Sequence, residues 1–551
     1  MLSRYKSFFS PSIQAIRVLK SGRILGDAET PQQMIERVVA SLTEVESKFG
    51  TAAEEIFSLQ AKLGPLLDEK YYVMSTPILT NAGRYLKKPL SACTVPPIDL
   101  AHDDIAKVRE VITRIHQDGM GTGFSLDGLA DPVATLRELN KIAVESANSG
   151  KEDRPVGNMA TLSVYDKKIY EFINAKVAAD QHNEQWKFNI SVDCDSNFFK
   201  QLEIGGKITL LDGNETSAQK LFDEICNAAV LCADPGLMFL DRMEEDNPTP
   251  IVGRYISTAP CAEVGLTKGE ACQFGYINVA KFIDEWGNID TQVLANATQL
   301  LTRILDNALE ISIDNYSEEE SKVVMTEKRK IGIGICGLAD LFVKKRVLYS
   351  SYEARVMALD LVSFINYESK RASHELAKKR GSFGAMRDCL GNKHLSSPST
   401  IEKRYGELST RYVAKEDWVA LAETIRETKQ LRNASTIALP PTGRSALTVD
   451  ASTGIEPIFS YHEYLELHPN LNASCYEFLQ TAKNISPAEH LLMASEIQKG
   501  VDESISKTIN LPSSTTAEDI ESIYVQAWQL GLKGISVYRE GSKNTQPRHL
   551  S

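Results

Sequence analysis

Thiols and carboxylates at close spacing are the first chemistry this sequence offers. Nine cysteines stand at 93, 194, 226, 232, 261, 272, 336, 389 and 475 of a 551-residue chain. Their number is odd, none forms a CxxC pair and none has zinc-type spacing. Reduced thiols are therefore expected, most of them core packing residues and a few catalytic, with no metal site among them. Cys261 draws notice because a carboxylate, Glu263, follows two residues later, and Cys272 lies in the same segment.

Other motifs divide into weak and useful ones. Gly332, Gly334 and Gly337 fit G-x-G-x-x-G, but no first βαβ unit surrounds them and no ribose-binding acid follows, so dinucleotide binding is not expected. His462, Glu463 and His468 imitate a metalloprotease helix. The two histidines are too far apart to share one helical face as that site requires, so they read as solvated residues. PPTGRSAL at 440–447 is not a P-loop. Thr442, Gly443, Arg444 and Ser445 nevertheless offer backbone N–H groups, hydroxyls and one cation at a strand-to-helix turn, a cradle suited to phosphate.

Elements must bring these groups together. Hydrophobic content of 42% and charged content of 24% describe an ordinary globular chain. The net charge of −12 is spread along the sequence, which speaks against nucleic-acid backbones and anionic membranes as partners. No apolar run approaches the ~20 residues of a membrane span, and the N-terminus lacks a signal-peptide core, so the chain reads as cytoplasmic. Residues 1–74 carry helical periodicity, with Thr30-Pro31 predicting a helix start. From Ser75 short β-type runs such as FNISV (188–192), IGIGICGLADLF (331–342) and TIALPPTG (436–443) alternate with amphipathic stretches, which predicts an α/β domain over 75–542. Residues 543–551 read as a frayed tail.

The segment DPGLMFLDRMEEDNPTPIVGRYISTAPCAEVGLTKGEACQFGYINVAKF (234–282) resembles the ribonucleotide reductase large-subunit family, whose pattern runs approximately NPTP, TNPCGE and GEACNLGSINLAKF. Further collinear matches are STPILTNAG (75–83), LSACTV (90–95), GMGTGF (119–124), KRKIGIGICGLAD (328–340), IALPPTGRSALTVDASTGIEPIF (437–459), SISKTINLP (504–512) and GLKGISVYREGS (531–542). The resemblance implies a ten-stranded α/β barrel of two antiparallel five-stranded halves, with a finger loop carrying a radical cysteine through its centre.

By motif, Cys261 is that cysteine, its thiyl taking the 3′-hydrogen of a ribonucleotide while Glu263 accepts the 3′-hydroxyl proton. Cys93 and Cys272 match the dithiol that supplies two electrons and closes to a disulfide. Ser75, Thr76, Ala92, Gly121, Ala259, Thr442, Gly443, Arg444 and Ser445 fall at substrate-binding positions. The implied partners are a nucleotide, an external thiol reductant such as a thioredoxin-like protein, and a second copy of the chain. Adenosylcobalamin is inferred by elimination: no ATP-cone precedes residue 30, Tyr538 is single rather than one of an adjacent pair, and no glycyl-radical motif is present.

Three departures qualify the match. TNPCGE has become TAPCAE, placing Ala259 where the family has an Asn that hydrogen-bonds in the site, and Ala262 where it has Gly. Leu100-Ala101 replaces an effector-binding Asp-Ser pair, so effector control is not expected. The family's C-terminal cysteines are missing after Cys475. Two other readings stand beside a reductase: a related radical enzyme acting on a different nucleotide or nucleoside, and an inactive nucleotide-binding paralogue.

Overall fold

The computed structural model describes residues 5–152, 154–177, 184–284, 286–391 and 397–542; the 543–551 tail lies outside them. Fourteen strands form among the described residues. In chain order the first seven are β1 Tyr72–Met74, β2 Cys93–Thr94, β3 Gly121–Ser125, β4 Asn158–Ser163, β5 Phe188–Asp193, β6 Lys207–Thr209 and β7 Glu215–Ser217. The rest are β8 Gly236–Met238, β9 Ser257–Thr258, β10 Gly265–Leu266, β11 Phe274–Asn278, β12 Gly332–Cys336, β13 Thr508–Leu511 and β14 Gly534–Arg539. The FNISV and IGIGIC runs thus become β5 and β12, as their β-branched composition predicts.

Seven strands make one sheet in the order β13-β14-β8-β5-β4-β3-β2. Within it β2, β3, β4, β5 and β8 run parallel, β14 lies antiparallel on β8, and β13 is parallel to β14. Parallel neighbours need crossover connections. The helices Pro132–Asn148, between β3 and β4, and Ala218–Cys232, before β8, supply two of them. A second sheet, β1-β11-β12, pairs β1 antiparallel and β12 parallel to β11. The hairpin β9/β10 stands apart from both, with Thr258 opposite Gly265.

The α/β class holds, but a closed ten-stranded sheet is not formed. Between the two sheets the described residues form isolated bridges rather than full strand ladders, Thr94 to Ala271, Ile333 to Ile437 and Leu439 to Ile505, each flanked by a few backbone hydrogen bonds. TIALPPTG is not a continuous strand for a physical reason. The Asp502 carboxylate takes the N–H groups of Thr436 (2.8 Å) and Ile437 (3.1 Å), and Pro440 and Pro441 have none to give.

The helix Pro31–Glu44 begins at Thr30, whose hydroxyl accepts from the Gln33 N–H while the Gln33 amide oxygen accepts from the Thr30 N–H, a reciprocal cap. Buried Glu46 fastens this region to the rest. It accepts from Arg303 at 2.7 Å, Arg380 at 2.6 Å and Asn307 at 2.8 Å. Burial alone would raise its pKa, but these partners hold it below the usual carboxylate range. Among the described residues no helix is long and apolar enough to cross a membrane.

Candidate active site

Glycine in β3 lets a hairpin enter the sheet's inner face. A methyl group at Gly123 would sit 2.0 Å from the Thr258 carbonyl oxygen, and one at Gly121 would meet Pro260 Cγ at 3.1 Å and Cys93 Sγ at 3.2 Å. The GMGTGF run therefore serves close approach: Gly123 allows β9 to lie on β3, and Gly121 leaves room for Pro260 at the hairpin tip and for the neighbouring Gly157 carbonyl. The hairpin turns at Ala259, whose carbonyl accepts from the Ala262 N–H at 2.9 Å, and Ala259 N–H donates to Val264 at 3.1 Å. Asn189 holds the tip through the Pro260 carbonyl at 3.3 Å. Ala262, where the family pattern has Gly, sits at φ 64°, a left-handed conformation that Gly adopts freely and Ala only with strain.

Cys261 occupies this tip. Its accessible surface faces a cavity of about 470 Å³ lined in part by Asn189, Ser191, Phe459, Lys507, Asn510 and Tyr538. Burial first, then the nearby Glu263 and Cys93, push its thiol pKa well up, so it is held protonated. Glu263 is 3% exposed and its Oε2 has no hydrogen-bond partner. Burial raises its pKa to about 7 against the pull of the Glu263 and Cys261 backbone N–H groups. A carboxyl poised near neutrality beside a thiol suits proton acceptance.

Cys93 and Cys272 face each other across adjacent extended segments. The Cys272 N–H donates to the Cys93 carbonyl at 3.0 Å, and the Cys272 carbonyl accepts from the Ala92 N–H at 3.0 Å. Two residues of one segment thus oppose one of the other, a bulge geometry that re-aims side chains. Burial and the contact with Cys93 hold the Cys272 thiol well above its ordinary pKa.

The remaining sequence-predicted residues gather around the same centre. Gly121 N–H donates to the Ala92 carbonyl at 2.9 Å. Ser75, its N–H on the Phe274 carbonyl at 3.1 Å, precedes the short helix Thr76–Asn81. Thr76 Oγ1 and Ser445 Oγ are 3.3 Å apart, joining that helix to the turn Thr442–Ser445, where Thr442 Oγ1 accepts from Gly454 N–H at 2.9 Å. Arg444 is exposed at this turn. Burial and the charge of Arg154 hold its guanidinium below the usual value.

Arg154 is the residue the sequence reading missed. It donates to Gly119 O at 2.7 Å and Ala92 O at 2.8 Å, and its charge acts on both Cys261 and Arg444. An Arg-Pro pair ahead of a strand was the only local signal. The histidine motif does not assemble: His462 is exposed, while His468 Nε2 lies 3.4 Å from Asp340. No metal-ligand cluster occurs among the described residues. Gly332 and Gly334 lie inside β12 under aromatic rings rather than around a phosphate.

The sequence model described as the ribonucleotide reductase barrel domain matches residues 91–468 and 462–538. A vitamin B12-dependent ribonucleoside-diphosphate reductase of Thermoplasma acidophilum is 29% identical over 96% of this chain and 74% of its own length. One from Mycobacterium tuberculosis is 28% identical over 97% and 80%, and a vitamin B12-dependent ribonucleotide reductase of Streptomyces coelicolor is 24% identical over 97% and 66%. Matched along most of its length, with Cys261 at a hairpin tip open to the cavity and buried Glu263 beside it, near the Cys93–Cys272 pair, the chain belongs to the ribonucleotide reductase barrel-domain family.

Proposed function

We propose that this protein reduces ribonucleotides to 2′-deoxyribonucleotides by thiyl-radical chemistry started by adenosylcobalamin. The observation that carries the reading is the convergence of one thiol, one carboxyl of near-neutral pKa and two facing thiols around a hairpin tip. Cys261, as thiyl, takes the 3′-hydrogen, and the Glu263 carboxylate accepts the 3′-hydroxyl proton. The 2′-hydroxyl leaves as water. Cys93 and Cys272 supply two electrons and two protons and close to a disulfide, after which Cys261 returns the 3′-hydrogen. An external dithiol, a small molecule or a thioredoxin-like protein, reopens that disulfide.

The cavity under Cys261 fits the cofactor through its donor set. Asn189, Ser191, Thr508, Asn510 and Ser536 offer neutral amides and hydroxyls beside the apolar Met159, Leu237, Ile505 and Val537, and the charged lining residues are paired, Asp234 with Lys176 and Lys507 with Glu456, a lining suited to an amide-rimmed, largely apolar group. These residues would hold adenosylcobalamin, which when bound supplies the one-electron start. The names of the relatives support this choice of cofactor.

Thr442, Gly443, Arg444, Ser445 and Thr76 form the proposed phosphate end, with Arg154 as a second cation. Two guanidiniums that repel each other across one space are relieved by an anion between them. The bridges at 271, 437 and 505 also support a ten-stranded barrel as the underlying plan. In that plan β2-β3-β4-β5-β8 is one parallel half, and β14, β13, the 437–439 segment, β12 and β11 form the other.

Anaerobic incubation with adenosylcobalamin, dithiothreitol and the four common ribonucleotides, with products read by mass spectrometry, tests the proposal. Deoxynucleotide formation that disappears in Cys261→Ser is expected. A wild type that yields none under any condition overturns it.

A further inference from the structure

Tyr276 stands in β11 where the family pattern GSINLAKF has Ser, and this chain reads GYINVAKF. Its direction follows from its neighbours. Gln273 donates to Ser312 Oγ at 2.6 Å on the helix Thr291–Asn315, and a methyl at Gly275 would meet Leu301 at 3.1 Å and Leu305 at 3.2 Å on the same helix. Odd-numbered positions therefore face that helix, and by strand alternation Cys272, Phe274 and Tyr276 face the opposite side, toward the thiols. On that side the Tyr276 ring lies over Gly334, where a methyl would sit 2.9 Å from its Cδ1 and 3.2 Å from Pro440 Cδ. Pro440 begins the Thr442–Ser445 turn, so the phenol stands between the dithiol and the proposed phosphate end.

The side chain is 5% exposed, yet its hydroxyl has no hydrogen-bond partner among the described residues. Burial first, then the Glu263 and Cys272 charges, push its pKa well up, so it remains a neutral donor. At Ala259, fully buried, the chain lacks the family's polar side chain. Two departures thus have opposite signs: one removes a hydrogen-bonding group from the site and the other adds one.

We propose that Tyr276 is a substrate-binding residue, its hydroxyl donating a hydrogen bond to a sugar oxygen of the bound nucleotide. This rests on the reductase reading and adds a specificity element to it. Gly334 is what leaves space for the ring, which gives the G-x-G run a packing role in service of the site.

Tyr276→Phe keeps the ring and removes only the hydroxyl. In the enzyme assayed with adenosylcobalamin and dithiothreitol, kcat/KM should fall about tenfold, the equivalent of one neutral hydrogen bond, with an unchanged melting temperature. Nucleotide affinity measured by calorimetry without cofactor should weaken in parallel. Ala259→Asn with Tyr276→Ser, which reinstates the family pair, should recover more activity than Tyr276→Ser alone. An active wild type with Tyr276→Phe unchanged in both kcat/KM and affinity overturns the proposal. A wild type that binds nucleotides but reduces none overturns the reductase reading instead, and the affinity comparison then decides the role of Tyr276 by itself.

Discussion

Cys272 lies opposite Cys93, its N–H on the Cys93 carbonyl at 3.0 Å and its thiol in contact with that residue. Because both backbones are already fixed by this pairing, closing a disulfide requires rotation of side chains rather than movement of strands. A single turnover without reductant is expected to leave these two cysteines bonded and the other seven free. Thiol mapping by mass spectrometry of acid-quenched enzyme reads the outcome, and product formed with both thiols still free excludes the pair as electron source.

How much of this was readable from residues alone depends on the kind of constraint. Cys93, Cys261, Glu263 and Cys272 stand out by motif, and the structure brings them near one another, with the Cys272 N–H on the Cys93 carbonyl and the charges of Glu263 and Cys93 acting on Cys261. Gly121 and Gly123 were visible as a motif, but the approach of the β9 hairpin and its tip at Pro260 that they accommodate depends on residues more than a hundred positions downstream. Arg154 and Tyr276 work through position, and neither residue type at its place predicts what it faces. That the sheet stays open could not be read either, because it follows from Asp502, distant in sequence, taking two N–H groups of the 436–437 segment.

Glu263 gives a pH dependence with a definite sign. As proton acceptor it must be ionised, and burial raises its pKa to about 7, so kcat/KM should rise with pH and level off above that value. Stability runs the other way. With its folded pKa above the unfolded one, this group favours the folded state below about pH 4.5, and that contribution is lost as pH rises through about 7. Glu263→Gln should abolish turnover and flatten this part of the stability profile in urea titrations. An acid-side rise unchanged in a Glu263 variant that retains activity would exclude Glu263 as the base.

Arg444→Ala addresses the phosphate end. A charge-assisted contact made equally in ground and transition states changes KM rather than kcat. An increase in KM of about tenfold with kcat held within about twofold is expected. Removing this guanidinium also relieves its repulsion with Arg154, so the Arg154 contribution to binding persists. Steady-state kinetics of both single variants and the double variant check this, and a collapsed kcat at unchanged KM contradicts the assignment.

Lys330 ties the catalytic segments together from behind. Its ammonium is 3.0 Å from Glu270 Oε1, 3.1 Å from Glu503 Oε1 and 2.9 Å from the Gly265 carbonyl. Glu270 stands two residues before Cys272, Gly265 two after Glu263, and Glu503 next to Ser504, whose N–H donates to the Glu263 carbonyl at 3.0 Å. With Lys328, 2.6 Å from Glu270 Oε2, the four charges balance in a fully packed interior. Lys330→Met leaves two buried carboxylates sharing one cation, at a cost of order 3–5 kcal/mol. Denaturant unfolding should register that loss. Adding Glu503→Gln removes the surplus negative charge and should recover much of the stability, but it cannot restore the contact to Gly265. If this ammonium also sets the position of the hairpin, the double variant will be stable yet slow, with kcat depressed and KM near that of the wild type. Full recovery of both stability and kcat would confine Lys330 to charge balance.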